Sequence, residues 1–546
     1  WRNERSLYNR TCSMCNKDII AMYPKDAVFP VYCSECRFSD SWDATDYGRD
    51  YDFSKPFFEQ FHELLQVVPQ IALQASSMVG SPYVNQAVNC KNCHLVTSAS
   101  DNEECMYSHR LMDSKNTLDS SFVRYIEYCY ECVNCTTLAN SMFCDDCTDS
   151  THLAFCSDIR GASDSFMSSN NRRGIFIFRN NQVPSEQYKA LRASMDAGSY
   201  EKLTAYRGEY LKLRQSRLHK FMSEKNTENC TGDGLVNSRN AKHCFYCSNL
   251  ENCKFALMMA DAKDSYDINN GCCTMERCYE ISTVGIDAYN IMFCADAWPT
   301  VRDIMYSQAC RDDSNNLFGC VSMRKKQYCI LNKQYTKSEY ETLLPRIIQH
   351  MDEMPYRDTL GRVYTFGEFF PPEIALCAFN ETAALDYCQL SRQGVEALGF
   401  RWKDKPREDK TVTIRAHDLP DHIRETPDTI TKETITCLHE GTCDHQCPGA
   451  YRITAQELKV YRDRNIALPR LCPNCRHYER FAFTNPYRLW KRKCQCGGSK
   501  SLDENRSNTT KHAHGGMPCT NEFETSYSPN RSELIYCTEC YQAEVV

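Results

Sequence analysis

The chain has 546 residues, thirty-six of them cysteine, and a formal net charge of −7; its mean hydropathy is −0.58. That length predicts several domains, and 42% hydrophobic with 11% aromatic residues excludes a disordered chain. The negative balance excludes a polybasic nucleic-acid coat. No window reaches the roughly 18 unbroken apolar residues of a membrane helix: the longest candidate, Leu64 to Leu73, is interrupted by Gln66, Pro69 and Gln70.

The first element, residues 1–50, reads as a zinc ribbon. Cys12 and Cys15 are followed after seventeen residues by Cys33 and Cys36, the spacing of two knuckles whose four thiolates converge on one tetrahedral ion. The apolar run Ala27 to Tyr32 suits a short edge strand entering the second knuckle. Residues 51–88 read as a helical connector, with Ser54 as cap and Phe57, Phe61, Leu64, Leu65 and Val68 on one face.

The middle is cysteine-dense and duplicated. The stretch from Cys156 resembles that from Cys310, with Gln182 matching Gln334 and Tyr188 matching Tyr340. We divide it into copies at 89–225 and 226–352, each closing in a helix signalled by Ser185 or Ser338; a second, charged helix is expected near 200–224. Cysteines recur nine or ten residues apart, with polar turns of Asn, Asp and Ser between short apolar runs. That rhythm predicts short strands stacked in an irregular β-solenoid with small cysteine side chains inside. Extra zinc is the competing reading. Cys129-x2-Cys132-x2-Cys135 has an iron–sulfur spacing but lacks the downstream Cys-Pro.

An α+β connector, 353–435, follows. Glu368 and Glu373 lie in it without a nucleophile nearby, and we read no catalysis there. Residues 436–480 form a zinc ribbon with an inserted helix, its ligands Cys443, Cys447, Cys472 and Cys475 and its helix opened by the capping box Thr454/Glu457; Cys437, His439 and His445 are competitors. Residues 481–546 repeat the first ribbon: NPYRLWKRKC parallels NERSLYNRTC and IYCTEC parallels VYCSEC, so Cys494, Cys519, Cys537 and Cys540 match the first four ligands. An insertion holds Cys496, His512 and His514. By the same repeat, a Cys-x-x-Cys-Arg knuckle is expected immediately upstream of Trp1. Residues 470–493 interleave Arg470, Arg476, Arg480, Arg488, Lys491, Arg492 and Lys493 with Tyr478, Phe481, Phe483, Tyr487 and Trp490, a pattern suited to phosphate contact and base stacking. Arg488, Lys491, Arg492 and Lys493 are the candidate nucleic-acid contacts.

The knuckles, with YGRDYDFSKPFFEQF, YCILNKQY and CPNCRHYERF, resemble a cysteine-rich zinc-ribbon family of candidate-phyla bacteria and some large DNA viruses. The resemblance covers nearly the whole chain and brings no established activity; the CoA-transferase label its members often carry finds no CoA-binding or carboxylate-nucleophile context here. The overall expectation is a multidomain, β-rich protein with helices and zinc as cofactor, placed in a reducing compartment, cytoplasmic or within a virus particle, and not in a membrane. Its expected role is that of a non-enzymatic scaffold for protein partners or a larger assembly, with nucleic-acid binding as the alternative.

Overall fold

The computed structural model describes residues 5–269, 275–276, 279–281, 289–294, 300–388, 390–404, 411–499 and 506–546; Trp1 and Asn3, used in the repeat comparison, lie outside them. The protein is multidomain and β-rich with some helices. Two large parallel sheets occupy the middle, one running from Ala75–Ser76 to Asn181–Gln182 and the other from Glu224–Glu228 to Lys333–Gln334.

The geometry of these ladders follows from a three-residue rule. From Gln86 to Arg179 every third residue has φ near +50°, Gly161 among them. The residue after each such corner points inward, and every third residue from Ala87 to Ser168 is buried. In the first ladder four corners return the chain over itself after twelve residues, as the register Val84 to Val96, His109 to Ser121 and Cys132 to Cys144 to Cys156 shows. A left-handed corner costs an L-residue roughly 1–2 kcal/mol, least for Asn and Asp, which is why polar turns punctuate the sequence. Corner side chains offset part of that cost by bonding to the next turn, as Asn89 does to Asp101 at 3.0 Å and Asn240 to Asn252 at 3.0 Å.

Regular corners also close the first ladder. Ser121–Glu127 pairs with Tyr130–Val133, which pairs with Met142–Asp145, which pairs with Thr148–Arg160; Thr136–Ala139 joins Thr148–Arg160 back to Ser121–Glu127. This closed five-stranded barrel corrects the irregular solenoid expected from sequence. Two of its strands are long enough to turn a corner and pair on two sides, so the stack closes instead of staying open.

Among the described residues, thiols inside the ladders bond to backbone carbonyls. Cys105 Sγ donates to Glu103 O at 3.3 Å and Ser114 O at 3.4 Å, and Cys132 Sγ to Tyr130 O at 3.6 Å and Ser141 O at 3.8 Å. Each thiol thus meets the carbonyl two residues before it and another nine after it. The Cys-x-x-Cys spacing here is the inward period of three, not a knuckle.

Both ladders end in an antiparallel strand and a helix: Asn181–Gln182 then Ser185–Ser194, and Lys333–Gln334 then Lys337–Glu353. The caps are Pro184 and Thr336, with Ser185 and Ser338 inside the first turn. The connector helix spans Phe57–Val67, with Pro56 rather than Ser54 at its cap, because Ser54 is tied to Asp52. Its buried face, Phe57, Phe58, Phe61, Leu64 and Leu65, packs on Tyr306, Phe318 and Leu331 of the second ladder. Gly319 (φ +62°) allows this approach, since a Cβ there would lie 2.8 Å from the Phe57 ring. The charged helix is Tyr200–Ser216, capped by Ser199. It stops short of residue 224 because Leu218–Lys220 leaves to pair with Leu534–Tyr536. Among the described residues no helix is long and apolar enough to cross a membrane.

The packing account makes a direct prediction. Cys132→Ser, whose hydroxyl can bond the same carbonyls, is expected to cost under about 1 kcal/mol. Cys132→Leu should overpack the interior by about 1–3 kcal/mol. Denaturant melts and metal analysis of both variants check this; metal content should be unchanged in each, and a fall would show a ligand instead.

Candidate metal centres

Three short hairpins each present a cysteine at the end of their first strand: Tyr8–Thr11 before Cys12, Ile435–Thr436 before Cys437, and Trp490–Lys493 before Cys494. In all three that cysteine's N–H closes the hairpin, to Lys17 O at 2.8 Å, Gly449 O at 2.8 Å and Asn521 O at 2.9 Å. Opposite each hairpin a helix begins just after another cysteine: Ser34–Arg37 after Cys33, Pro473–Phe481 after Cys472, and Thr538–Val545 after Cys537. The backbone N–H of Cys33, Cys472 and Cys537 donates to Sγ of Cys12, Cys437 and Cys494 respectively, at 3.3 Å in every case. One local structure is thus used three times.

The geometry gathers Cys12, Cys15, Cys33 and Cys36; Cys437, Cys447, Cys472 and Cys475; and Cys494, Cys519, Cys537 and Cys540, each set with its sulfurs within 4.8 Å of one another. Cys15 to Cys33 is 4.0 Å, Cys447 to Cys472 3.8 Å, Cys437 to Cys475 3.7 Å and Cys519 to Cys537 3.9 Å. Sulfurs around a tetrahedral ion with bonds of about 2.3 Å lie about 3.8 Å apart, so all three sets fit such an ion. The first and last sets are those read from sequence. The middle set differs from the one read from sequence: Cys437, at the end of the hairpin's first strand, stands with Cys447, Cys472 and Cys475, while Cys443, also 3.7 Å from Cys475, stands with two histidines on the other side. The pairing of Thr436–Cys437 with Thr11–Cys12 was the signal for Cys437.

Two further sets of ligating atoms adjoin the last two clusters: His439, Cys443 and His445 around Cys475, and Cys496, His512 and His514 around Cys540.

The sulfurs of each set are strongly coupled electrostatically. Burial opposes ionisation of Cys12, yet N–H donors of Cys15, Cys33 and Met14 bring its thiol down to about 6, while burial and Cys33 push Cys36 up. Against the raising influence of Cys447, hydrogen bonds from Cys472 and Cys475 bring Cys437 down to about 6; burial pushes Cys494 up to about 12. Four sulfurs this close cannot all be thiolates unless a divalent ion offsets their repulsion.

The residue after the fourth cysteine joins each cluster to the body. Arg37, Arg476 and Tyr541 are buried at 2%, 2% and 6% exposure. Arg37 donates to Ser322 O at 3.0 Å and lies over Trp42. Tyr541 bonds to Asp158 and accepts from Arg172 at 2.8 Å. Arg476 meets Asp119 at 3.0 Å and Glu457 at 3.2 Å, and Arg480, one helical turn on, meets Asp119 at 2.8 Å and Tyr107 O at 2.9 Å.

This placement corrects part of the basic stretch. Arg470 is also buried, donating to Leu419 O and Pro420 O over the Tyr200 ring, and Tyr478 and Phe481 are buried with it. Of the candidate nucleic-acid contacts, Arg488 covers Trp490 and Arg492 donates to Ser528 O and Gln495 Oε1. Lys491 stands opposite Glu524 across the hairpin, and Lys493 is 3.1 Å from Glu522. Glu373 accepts from Tyr356 and from Thr359 N and Oγ1, a loop-tying role. No family model matches the chain, and no curated protein matches it.

Asp119→Ala is expected to destabilise the protein by about 3–5 kcal/mol, because it leaves two guanidinium groups buried without their shared carboxylate. Lys91→Ala, at an exposed pair with Glu103, should cost under about 1 kcal/mol. Equal costs in denaturant melts would contradict the assigned importance of the buried junction.

Proposed function

We propose that the protein is a non-enzymatic scaffold in which structural zinc fastens small modules to a rigid double ladder that presents surfaces to protein partners or a larger assembly. The observation that carries this reading is the burial of Arg37, Arg476 and Tyr541 in the ladders, each directly after a ligand cysteine. An ion at these positions orients a helix and through it a docking side chain. Each all-cysteine set supplies four protein ligands, the closed donor set of a structural site, and zinc is the ion that four thiolates in tetrahedral spacing favour. Modules this small bury too little apolar surface to fold alone, and a metal supplies the missing free energy. The resemblance to a zinc-ribbon family agrees with this reading.

Nucleic-acid recognition is the weaker alternative, because most of the basic and aromatic residues of 470–493 are engaged within the protein and the exposed lysines face Glu522 and Glu524. The experiment is zinc analysis of protein purified under reducing conditions, followed by unfolding with and without a strong chelator. At least three zinc ions per chain, one for each all-cysteine set, and a marked loss of thermal stability on chelation are expected; a metal-free, equally stable protein would refute the reading. Single-stranded RNA or DNA across a salt series should show no binding tighter than about 10 μM at low salt. Micromolar binding lost on neutralising Arg488, Lys491, Arg492 and Lys493 would move nucleic-acid recognition to first place.

A further inference from the structure

Among the differences between the three modules, one bears on metal binding: the length and content of the hairpin loop. In the first module residues 12–17 form the loop, with no histidine and only its two knuckle cysteines. In the second, residues 437–449 add His439, Cys443 and His445; in the third, residues 494–521 add Cys496, His512 and His514. Each longer loop adds two histidines and one cysteine and brings them to the same place, the fourth cysteine of the all-cysteine set.

We infer that Cys475 and Cys540 are bridging thiolates, each shared by two zinc ions, so that the second and third modules hold binuclear centres and the chain binds five ions. The inference rests on the zinc reading above and adds two sites to it. The distances support a second tetrahedron on the shared sulfur. Cys475 Sγ lies 3.7 Å from Cys437 Sγ on one side; on the other it lies 3.7 Å from Cys443 Sγ and 3.3 Å from His439 Nδ1. In the third module, His514 Nε2 is 3.3 Å from Cys540 Sγ and 3.5 Å from Cys496 Sγ, while His512 Nδ1 is 3.4 Å from Cys496 Sγ and 3.2 Å from His514 Nε2. Around a tetrahedral zinc, nitrogen and sulfur ligands stand about 3.5 Å apart and two nitrogens about 3.3 Å.

The outer contacts of the histidines are those of metal ligands. With His512 Nδ1 facing the cluster, its Nε2 meets Glu544 Oε1 at 2.8 Å, the carboxylate–histidine arrangement that fixes the tautomer of a zinc ligand. Glu544 is buried and anchored by Thr509 and Thr510. His445 stacks on Tyr478 at 5.3 Å, one turn after Cys475 on the same helix. Charge points the same way. Four thiolates around one divalent ion leave a net charge of −2, whereas five thiolates and two neutral histidines around two ions leave −1, which is easier to bury.

The test uses the full chain reconstituted with zinc in reducing buffer and freed of excess metal. Five ions per chain are expected, and X-ray absorption at the zinc edge should report about four sulfurs to one nitrogen, the ratio in the five sets. With cadmium-113 in place of zinc, five resonances should appear, two pairs of them coupled through a shared sulfur. His439→Ala and His512→Ala should each lower the count from five to four. Three ions with sulfur ligands alone would overturn the binuclear centres and leave the zinc scaffold standing. No bound ion would overturn both. Five ions without coupled pairs would overturn the bridges. The wild-type spectra decide the question if either variant fails to fold.

Discussion

Mutual repulsion of clustered sulfurs is the constraint on which the architecture rests. Four cysteine side chains within 4.8 Å of one another become compatible with ionised thiols only through a cation, and a cation held there would fix where a helix begins. In each module the third cysteine caps or precedes that helix and the fourth lies within it, so an ion held by the set would fix the helix origin and direction. The following residue enters a ladder: Arg37 beside Ser322, Arg476 against Asp119 and Glu457, Tyr541 against Asp158. Coordination, helix orientation and docking thus form one mechanical chain.

The ladders answer the opposite problem, a narrow core built from small side chains. Their interior is too narrow for large side chains, so a three-residue period places Cys, Ser, Ala, Val and Leu inside and leaves the left-handed corners to Asn, Asp and other tolerant residues. Thiols and hydroxyls there bond to carbonyls of their own and neighbouring turns, as Cys105 and Ser141 do. Cysteine therefore has two settings in the described residues, clustered candidate ligand in the modules and small buried donor in the ladders, and the same Cys-x-x-Cys spacing serves both.

That double use decides what could be read from the sequence. Cys12, Cys15, Cys33 and Cys36 were legible because ribbon spacing reports a local hairpin and a local helix. Cys494, Cys519, Cys537 and Cys540 were legible by comparison with them. Cys437 was read only as a competitor of Cys443, because a knuckle spacing was sought, whereas its place in the set follows from its position at a strand end. The regular twelve-residue return was hidden because the corners are marked by backbone sign rather than by one residue type. The basic stretch misled for a long-range reason: the carboxylate that neutralises Arg480 is 361 residues away in the chain, and no local pattern announces it.

Hydrogen exchange, compared between zinc-loaded and chelated protein, tests the central claim most directly. If metal clusters brace the ladders through their helices, chelation will strip protection from Pro473–Phe481 and Thr538–Val545 and from the strand Leu218–Lys220 that pairs beside the last module. Interior ladder strands such as Met142–Asp145 will keep theirs. Unchanged protection in those helices after the metal is removed would contradict the account.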